Sequence, residues 1–386
     1  MRTIYLDYNA TTPLDPAVRE AMLPFLDGEF GNPSSIHHVG RRARAALDAA
    51  HERVAQVFRC KPSETVFTSG GTESNNAAIL GAARLLRDRG RHLITSAVEH
   101  HAVLNCFEHL RRREGFEVTL LPVDSEGLLD PQDLLRALRP DSVLVSIMAA
   151  NNETGTIQPV EEFGNLCRQR GILFHTDAVQ WFAKLPFERI DQFNADLVSL
   201  CAHKFHGPKG AGLLFMRSPL RLEPLFWGGP QEGAQRPGTE NLPAWVGLAE
   251  AVERFVRVPV FPQAPLRNLT VLLASLLGPV LGLEFRGSSR RRLPNTLGLT
   301  VDGCDSLSLL AGLDLEGICA SSGSACSAGS LSPSHVLRAL GVSVPLSSSF
   351  LRFSLGRDSS AADVHSVARV LPEIIDRIQR VSKRTD

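Results

Sequence analysis

The sequence predicts an α/β protein: a large domain with a mainly parallel, mixed sheet flanked by helices, and a smaller α+β domain. Between residues 65 and 216, short apolar runs bounded by polar or glycine-rich turns alternate with helix-length segments. This alternation is typical of strands buried on both faces of a sheet. Near residue 257 the alternation stops at a proline-rich segment. We therefore predict a large domain over residues 13–257 and a small domain formed by residues 1–12 and 258–386.

The elements of the large domain follow from its apolar runs. The predicted strands, in chain order, are Thr65–Thr68, His92–Ser96, Val118–Val123, Ser142–Met148, Ile172–His175, Asp196–Leu200 and Gly212–Met216. Segments long enough for helices lie between them, for example Ser74–Arg89, Pro131–Arg139 and Val160–Arg170. In such a sheet, ligands bind at the carboxyl ends of the strands, in the loops that follow.

The small domain begins after a linker, Val258–Pro262, whose two prolines forbid a regular helix. An apolar helix is predicted over Leu266–Leu277 and a strand over Asn295–Val301. A stretch rich in serine and glycine, Ser321–Ser330, precedes a final helix over Ala361–Lys383, whose apolar residues recur at helical spacing.

Composition excludes several classes of protein. The 386 residues carry 41 Lys and Arg against 41 Asp and Glu, so the basic excess of a nucleic-acid-binding protein is missing. No apolar stretch reaches the length of a membrane span, and the N-terminus lacks the apolar region of a secretory signal. The seven cysteines form no CxxC pair and no zinc-type cluster with histidine. We expect a cytoplasmic protein with free thiols and no metal site.

Three loops after predicted strands carry the candidate chemistry. Ser69-Gly70-Gly71-Thr72 links a strand to a helix, and backbone N–H groups freed by glycines at a helix start bind anions. The same pattern also suits a tight turn with Thr72 as the helix N-cap. In the second loop, Asp177 follows the predicted strand Ile172–His175. It suits either a helix cap or a carboxylate that holds a cationic ring nitrogen.

A lysine follows the predicted strand Asp196–Leu200, in His203-Lys204-Phe205-His206-Gly207. Burial and neighbouring cations lower the pKa of a lysine and make it a nucleophile toward carbonyls. A lone lysine in a loop is usually a solvated charge, but here it accompanies an anion site and an aspartate. An anion site, an acid for a ring nitrogen and a lysine for an aldehyde together predict pyridoxal 5'-phosphate (PLP) as cofactor.

The chain resembles the cysteine desulfurases of the NifS/IscS kind, within the class V group of fold-type I PLP enzymes. The resemblance runs nearly end to end and rests on six segments in family order. They are Tyr5–Thr12, Gly31–His37, Phe67–Asn76, Val98–Val103, Asn151–Gly155 and Ser321–Cys326. The implied fold is the PLP-dependent transferase fold of type I, and the implied activity is release of sulfur from L-cysteine with formation of L-alanine.

The resemblance implies which residues contact the cofactor ring. Lys204 bonds covalently to the cofactor aldehyde, and Asp177 keeps the ring nitrogen protonated. Gln180 and Asn151 lie near the ring oxygen. His100 stacks on the ring face and moves protons.

The resemblance also implies the phosphate contacts. Gly71, Thr72 and His203 hold the phosphate, and Cys201 occupies a position at which the family commonly has a serine donor. A thiol is a weaker donor than a hydroxyl, so this departure puts the affinity for PLP in question. Thr239 matches the threonine that reaches the phosphate of a partner subunit, which implies a homodimer with shared sites.

Substrate contacts and the nucleophile come from other segments. Arg352 matches the family's clamp for the substrate carboxylate, a task that suits the two parallel donors of a guanidinium. Asn32 and Asn151 are implied to contact the substrate as well. Cys326 lies in the stretch rich in serine and glycine, where little can be buried. It is implied to accept the sulfur as a persulfide and to pass it to an iron–sulfur scaffold or a sulfur-carrier protein.

The sequence leaves three alternatives to a cysteine desulfurase. A selenocysteine lyase shares several of the same segments, and a plain class V aminotransferase needs no thiol at position 326. A non-catalytic assembly protein needs none of Lys204, Asp177 and His203, all of which this chain retains.

Overall fold

A seven-stranded sheet forms the centre of the computed structural model, which describes residues 2–323 and 333–385. Its strand order is β2-β8-β7-β6-β5-β3-β4. The strands, in chain order, are β1 (Ile4–Tyr5), β2 (Thr65–Thr68), β3 (His92–Ser96), β4 (Glu117–Leu121), β5 (Ser142–Ser146), β6 (Leu173–Asp177), β7 (Leu197–Cys201), β8 (Gly212–Met216), β9 (Leu283–Arg286), β10 (Thr296–Val301), β11 (Ile318–Cys319) and β12 (Leu351–Ser354).

The sheet is mostly parallel, as the sequence predicts. β4, β3, β5, β6 and β7 pair in parallel, whereas β8 runs antiparallel to both of its neighbours, β7 and β2. The strands β2 and β7 therefore point the same way. Their carboxyl ends lie on one edge of the sheet together with those of β5 and β6.

Helices cover both faces of this sheet and also pack in the C-terminal part of the chain. They are α1 (Pro16–Leu26), α2 (His38–Phe58), α3 (Gly71–Leu86), α4 (His101–Arg113), α5 (Pro131–Ala137), α6 (Val160–Gln169), α7 (Leu242–Phe255), α8 (Gln263–Leu277), α9 (Ser306–Leu315), α10 (His335–Ala339), α11 (Val344–Ser347) and α12 (Ala361–Thr385). Successive side chains of a strand point to opposite faces. Val66 of β2 accordingly packs in one core cluster with Ile79 of α3. The next residue, Phe67, stacks on Trp245 of α7 with ring centroids 5.2 Å apart. None of the described helices is long and apolar enough to cross a membrane.

Two boundaries predicted from the sequence are wrong in ways that affect the candidate site. Helix α3 begins at Gly71 rather than Ser74, because the Ser74 N–H already donates to the Gly70 carbonyl at 3.0 Å. Strand β6 continues past His175 to Asp177, which is in register with Ser199 of β7. The other predicted strands and helices are present, with ends shifted by at most three residues.

The C-terminal part of the chain contains a second sheet. It is antiparallel, in the order β12-β10-β9, and α8, α9 and α12 pack in the same region. The N-terminal strand β1 pairs in parallel with β11, and Asp7 bridges to Ser354 at the end of β12. The N-terminus therefore lies beside the C-terminal region, as the predicted small domain requires. The domain boundaries at residues 12 and 257 stay a prediction.

Candidate active site

A cavity of about 230 Å³ opens at the edge of the main sheet where β2, β5, β6 and β7 end. Nine of the residues singled out from the sequence line it: Gly71, Thr72, His100, Asp177, Gln180, Cys201, His203, Lys204 and Arg352. They come from five separate parts of the chain: four follow or end strands of the main sheet, and Arg352 comes from the second sheet. Ligands of such sheets bind at this edge.

Lys204 reaches the cavity from the short turn that follows β7. Its Nζ donates to the backbone carbonyls of Asn9 and Ala10, at 2.8 Å in each case. Among the described residues no carboxylate forms an ion pair with it. Burial lowers the pKa of Lys204 below the ordinary lysine value, and the nearby Arg352 guanidinium lowers it further. An amine held in this way is easier to deprotonate than a solvated lysine.

Asp177 ends β6 and is held by two donors. The side-chain amide of Asn75 donates to its Oδ2 at 2.6 Å, and the Val179 N–H donates to its Oδ1 at 3.0 Å. Only 5% of Asp177 is exposed. These two hydrogen bonds fix the position of the carboxyl group at the wall of the cavity. A buried carboxylate of this kind suits a cationic ring nitrogen.

The N-terminus of α3 forms the wall of the cavity next to Cys201. Gly71 lies beside Cys201: a Cβ atom at Gly71 would lie 3.8 Å from the Cys201 sulfur and only 2.8 Å from the Val179 side chain. Glycine is thus the residue that fits this close approach. The free N–H groups and the dipole of a 16-residue helix favour an anion here. Burial raises the pKa of Cys201 to about 11, so its sulfur is a neutral thiol near pH 7.

Two histidines present nitrogen atoms to the same cavity. His100 caps α4, and its Nδ1 accepts from the Ala102 N–H at 3.1 Å. The neutral ring therefore carries its proton on Nε2. His203 Nδ1 lies 3.1 Å from the Thr11 hydroxyl oxygen. Burial lowers the pKa of His100, and burial together with Lys204 lowers the pKa of His203 to about 4. Both rings are neutral near pH 7, and His100 can donate from Nε2.

Arg352 reaches the cavity from β12 and is 1% exposed. Its Nη2 pairs with Asp7 Oδ1 at 2.5 Å, and its Nη1 donates to the Asn152 carbonyl at 2.9 Å. Its Nε–H is buried and has no hydrogen-bond partner among the described residues. Leaving a buried donor unpaired is costly, so the geometry suits an anionic acceptor such as a substrate carboxylate.

Three of the expected site residues lie away from the cavity lining. The Asn151 side chain is buried, donates to the Val98 carbonyl at 2.9 Å and accepts from the N–H groups of Glu153 and Thr154. Asn151 thus shapes the loop after β5, while its neighbour Asn152 lines the cavity. Asn32 is exposed, and its Oδ1 accepts from Ser34 N–H. Thr239 is exposed.

Cys326 lies outside the described residues. Its expected role therefore stays a prediction from the sequence.

Sequence reasoning did not single out three side chains that hold the site together. The Asn9 side chain accepts from Lys184, which also contacts Gln180, and the Asn75 side chain holds Asp177. The sequence held one indication for Asn75: it lies four residues, about one helical turn, after Gly71 on α3 and so shares a helix face with it. Asn9 lies in a segment that carried the resemblance, but its contacts join positions up to 345 residues apart.

The residues present fit PLP. The start of α3 and His203 suit the phosphate, buried Asp177 suits the ring nitrogen, and Lys204 suits the aldehyde. A second observation supports the fit: Asn75 Oδ1 is buried without a partner among the described residues. A ligand or water in the cavity would supply the missing donor.

Comparison with known proteins identifies the family. The family model of the class-V aminotransferases matches residues 4–367. A protein of Dictyoglomus turgidum named cysteine desulfurase IscS is 45% identical over 386 residues, which cover 99% of this chain and 96% of that protein. A solved structure of a NifS-like protein has a TM-score of 0.88 and 36% identity, and covers 99% of this chain and 100% of its own. A structure titled SspA in complex with cysteine has a TM-score of 0.81 and 38% identity, over 93% of this chain and 100% of its own.

The chain belongs to the class-V aminotransferase family. Within that family it is similar to the cysteine desulfurases of the NifS/IscS kind over nearly its whole length, which confirms the resemblance inferred from the sequence segments.

Proposed function

We propose that the protein is a PLP-dependent cysteine desulfurase that converts L-cysteine to L-alanine and transfers the sulfur to its own Cys326. One observation carries the proposal: Lys204, Asp177, His203 and Arg352 line a single cavity. The names of the relatives support the same activity. Bound PLP supplies an aldehyde that takes up an amino group and a ring that withdraws electrons from the adjacent carbon.

Lys204 acts as the base of the reaction. Its lowered pKa raises the fraction of free amine near pH 7. Nζ can therefore remove the proton from the substrate α-carbon and return it at a later stage. The carbonyls of Asn9 and Ala10 hold the same nitrogen within the cavity. His100, with its proton on Nε2, is placed to donate a second proton.

Arg352 orients the substrate. Its unpaired Nε–H offers a donor to the carboxylate of cysteine, and contacts of Nη2 with Asp7 and of Nη1 with Asn152 fix the guanidinium plane. This fixed plane limits the directions in which the substrate side chain can point.

Cys326 takes the sulfur. The bond between the substrate sulfur and its carbon breaks, a sulfur–sulfur bond forms on Cys326, and the carbon gains a proton to give alanine. The enzyme-bound persulfide then passes to an acceptor, for which an iron–sulfur scaffold or a sulfur-carrier protein has the right chemistry. We place the reaction in the cytoplasm, where thiols stay reduced. The six cysteines among the described residues are unpaired.

A second copy of the chain completes the proposed enzyme. Two segments expose large apolar side chains: Phe30 is 79% and Ile36 90% exposed, and Trp227 is 80% exposed. Such side chains favour burial in an interface. Thr239 is exposed twelve residues after Trp227, which leaves it available to a phosphate in the cavity of the partner.

Incubation with L-cysteine and a reductant tests the function. We expect alanine and sulfide in equal amounts when PLP is bound. The Cys326→Ala variant should keep PLP and still change its spectrum with L-cysteine, but release no sulfide. Cys319→Ala, at the edge of the same region, is the matched control and should release sulfide normally. Transfer of the amino group without release of sulfide would indicate an aminotransferase. Normal sulfide release by Cys326→Ala would mean that another thiol is the nucleophile.

A further inference from the structure

Lys184 is a buried lysine that the proposed reaction does not use. It is 0% exposed and lies between β6 and β7 in the chain. Its Nζ donates to Asn9 Oδ1 at 2.7 Å and to Gln180 Oε1. Among the described residues it forms no ion pair with a carboxylate. A buried charge without an opposite charge is strongly unfavourable, so this lysine requires an explanation.

The partners of Lys184 match a neutral amine. A neutral amine has two N–H groups, and Nζ has two amide oxygens to receive them. The centroid of the Phe261 ring lies 5.4 Å from Nζ. Burial lowers the pKa of Lys184 well below the ordinary lysine value, and Lys204 and Arg352 lower it further.

The contact with Lys184 fixes which way the Gln180 amide faces. Gln180 Oε1 accepts from Lys184, and Gln180 Nε2 donates to the Asn9 carbonyl at 3.0 Å. A flipped amide would set its oxygen against the Asn9 carbonyl oxygen, which is repulsive, and would leave Lys184 without that acceptor. Gln180 lines the cavity, and the second N–H of its Nε2 has no hydrogen bond to any described residue. The amide therefore offers a donor to a ligand.

Asn9 extends the same network to Lys204. Its backbone carbonyl accepts from both Gln180 Nε2 and Lys204 Nζ. Its side-chain oxygen accepts from Lys184 and also from Asn295 at 3.1 Å. The position of Lys184 is thus linked, through one asparagine, to the two groups expected to contact the cofactor at its aldehyde and its ring oxygen.

We propose that Lys184 is a positioning residue that holds the Gln180 amide with its nitrogen toward the cavity, so that Gln180 donates a hydrogen bond to the ring oxygen of bound PLP. This inference rests on the proposed function, since it requires PLP in the cavity. Lys184 acts through Gln180 and does not contact the cofactor itself.

The proposal has a spectroscopic consequence. A donor beside the ring oxygen stabilises negative charge on that oxygen, and so eases loss of the proton that the oxygen shares with the nitrogen joining PLP to Lys204. Removing the donor should move that titration to higher pH. Loss of one hydrogen bond corresponds to a shift of about 0.5 to 1 pH unit. The charged and titratable groups that line the cavity are unchanged in the variants: Lys204, Asp177, Arg352, His100, His203 and Cys201.

The test is a pH titration of the absorbance of the PLP-loaded protein. Lys184→Met keeps an unbranched apolar stem and removes the donor, and its midpoint should rise by about 0.5 to 1 unit. Gln180→Leu should raise the midpoint by a similar amount. The double variant should show no further shift, because both changes remove the same interaction. Lys209→Met, an exposed lysine in the loop after Lys204, is the matched control and should leave the midpoint unchanged.

Two results would overturn the inference. One is a midpoint of Lys184→Met equal to wild type, and the other is an additive shift in the double variant, which would mean that Lys184 acts independently of Gln180. If Lys184→Met does not fold, Lys184→Gln replaces it, since its amide keeps a donor but is shorter. It should then give a smaller shift than Gln180→Leu, and an equal or larger one would count against the proposal. A wild-type protein that binds no PLP would instead refute the proposed function.

Discussion

Cys201 stands where the family commonly has serine, and the structure places it on the cavity beside the Gly71 N–H. A hydroxyl gives a phosphate a stronger hydrogen bond than a neutral thiol does. Cys201→Ser should therefore slow PLP dissociation by about fivefold, the equivalent of about 1 kcal/mol. Dissociation rates measured by dilution into a PLP-trapping apoenzyme check this. Cys106→Ser, at a buried thiol outside the cavity lining, should not change the rate. Equal or faster loss from Cys201→Ser would mean that the phosphate does not lie at this sulfur.

Arg352 allows a second prediction for a single residue. Arg352→Lys keeps the positive charge but loses the planar set of donors. We expect the KM for L-cysteine to rise about 10- to 150-fold, the loss of one charge-assisted hydrogen bond, with a much smaller change in kcat. Arg357→Lys is the matched control, because Arg357 pairs with Asp15 at 2.7 Å and does not line the cavity. Steady-state kinetics of both variants measure this change. An unchanged KM for Arg352→Lys would mean that Arg352 does not bind the substrate carboxylate.

At the scale of an element, β6 contains an ionisable side chain inside the sheet. His175 is fully buried, with its Nδ1 2.8 Å from the Ser146 hydroxyl and its Nε2 3.0 Å from the Ser199 hydroxyl. These contacts tie β6 to both neighbouring strands, β5 and β7. Burial lowers the pKa of His175 to about 3. The ring thus stays neutral in the folded protein.

This neutral histidine predicts a pH dependence of stability. Between about pH 6.5 and pH 3 the unfolded chain holds a proton on His175 that the folded chain lacks, so stability falls as the pH falls through this window. From pH 6 to pH 5, wild type should lose about 1 kcal/mol more of its free energy of unfolding than His175→Gln. Urea unfolding at both pH values measures the difference. Equal losses would mean that His175 is protonated in the folded protein.

The start of α3 shows why element boundaries matter to function. Read from the sequence, the helix begins at Ser74, and Ser69–Thr72 form an anion-binding link or a tight turn before it. In the structure the helix begins at Gly71, and the Gly70 carbonyl accepts its first hydrogen bond from the Ser74 N–H at 3.0 Å. The fixed first turn sets the free N–H groups toward the cavity. Propensity alone did not reveal this, since glycine disfavours helix interiors.

For the whole molecule, the sequence predicted the class of sheet but not its strand order. Apolar runs identify strands because each is buried on both faces, as β3, β5, β7 and β8 are. They do not tell which strands are neighbours. The antiparallel β8 lies between β2 and β7, an arrangement set by tertiary packing rather than by local pattern.

The candidate site was predictable to the extent that its residues follow strands. Asp177, Cys201 and Lys204 follow or end strands, and so meet at one edge. Asn9 and Lys184 were not predictable, because the hydrogen bond between them joins positions 175 residues apart. No local pattern signals such a contact. Asn151 appeared in a segment that carried the resemblance, yet its side chain is used within its own loop.

The central claim is that Lys204 carries PLP in this cavity, and one labelling experiment tests it most directly. The PLP-loaded protein is reduced with borohydride, digested and mapped by mass spectrometry. Reduction fixes the bond between the cofactor and the lysine that holds it. We predict the label on Lys204, whose nitrogen lies in the cavity. A label on the buried Lys184 or the exposed Lys209, or no label on any lysine, would contradict the account.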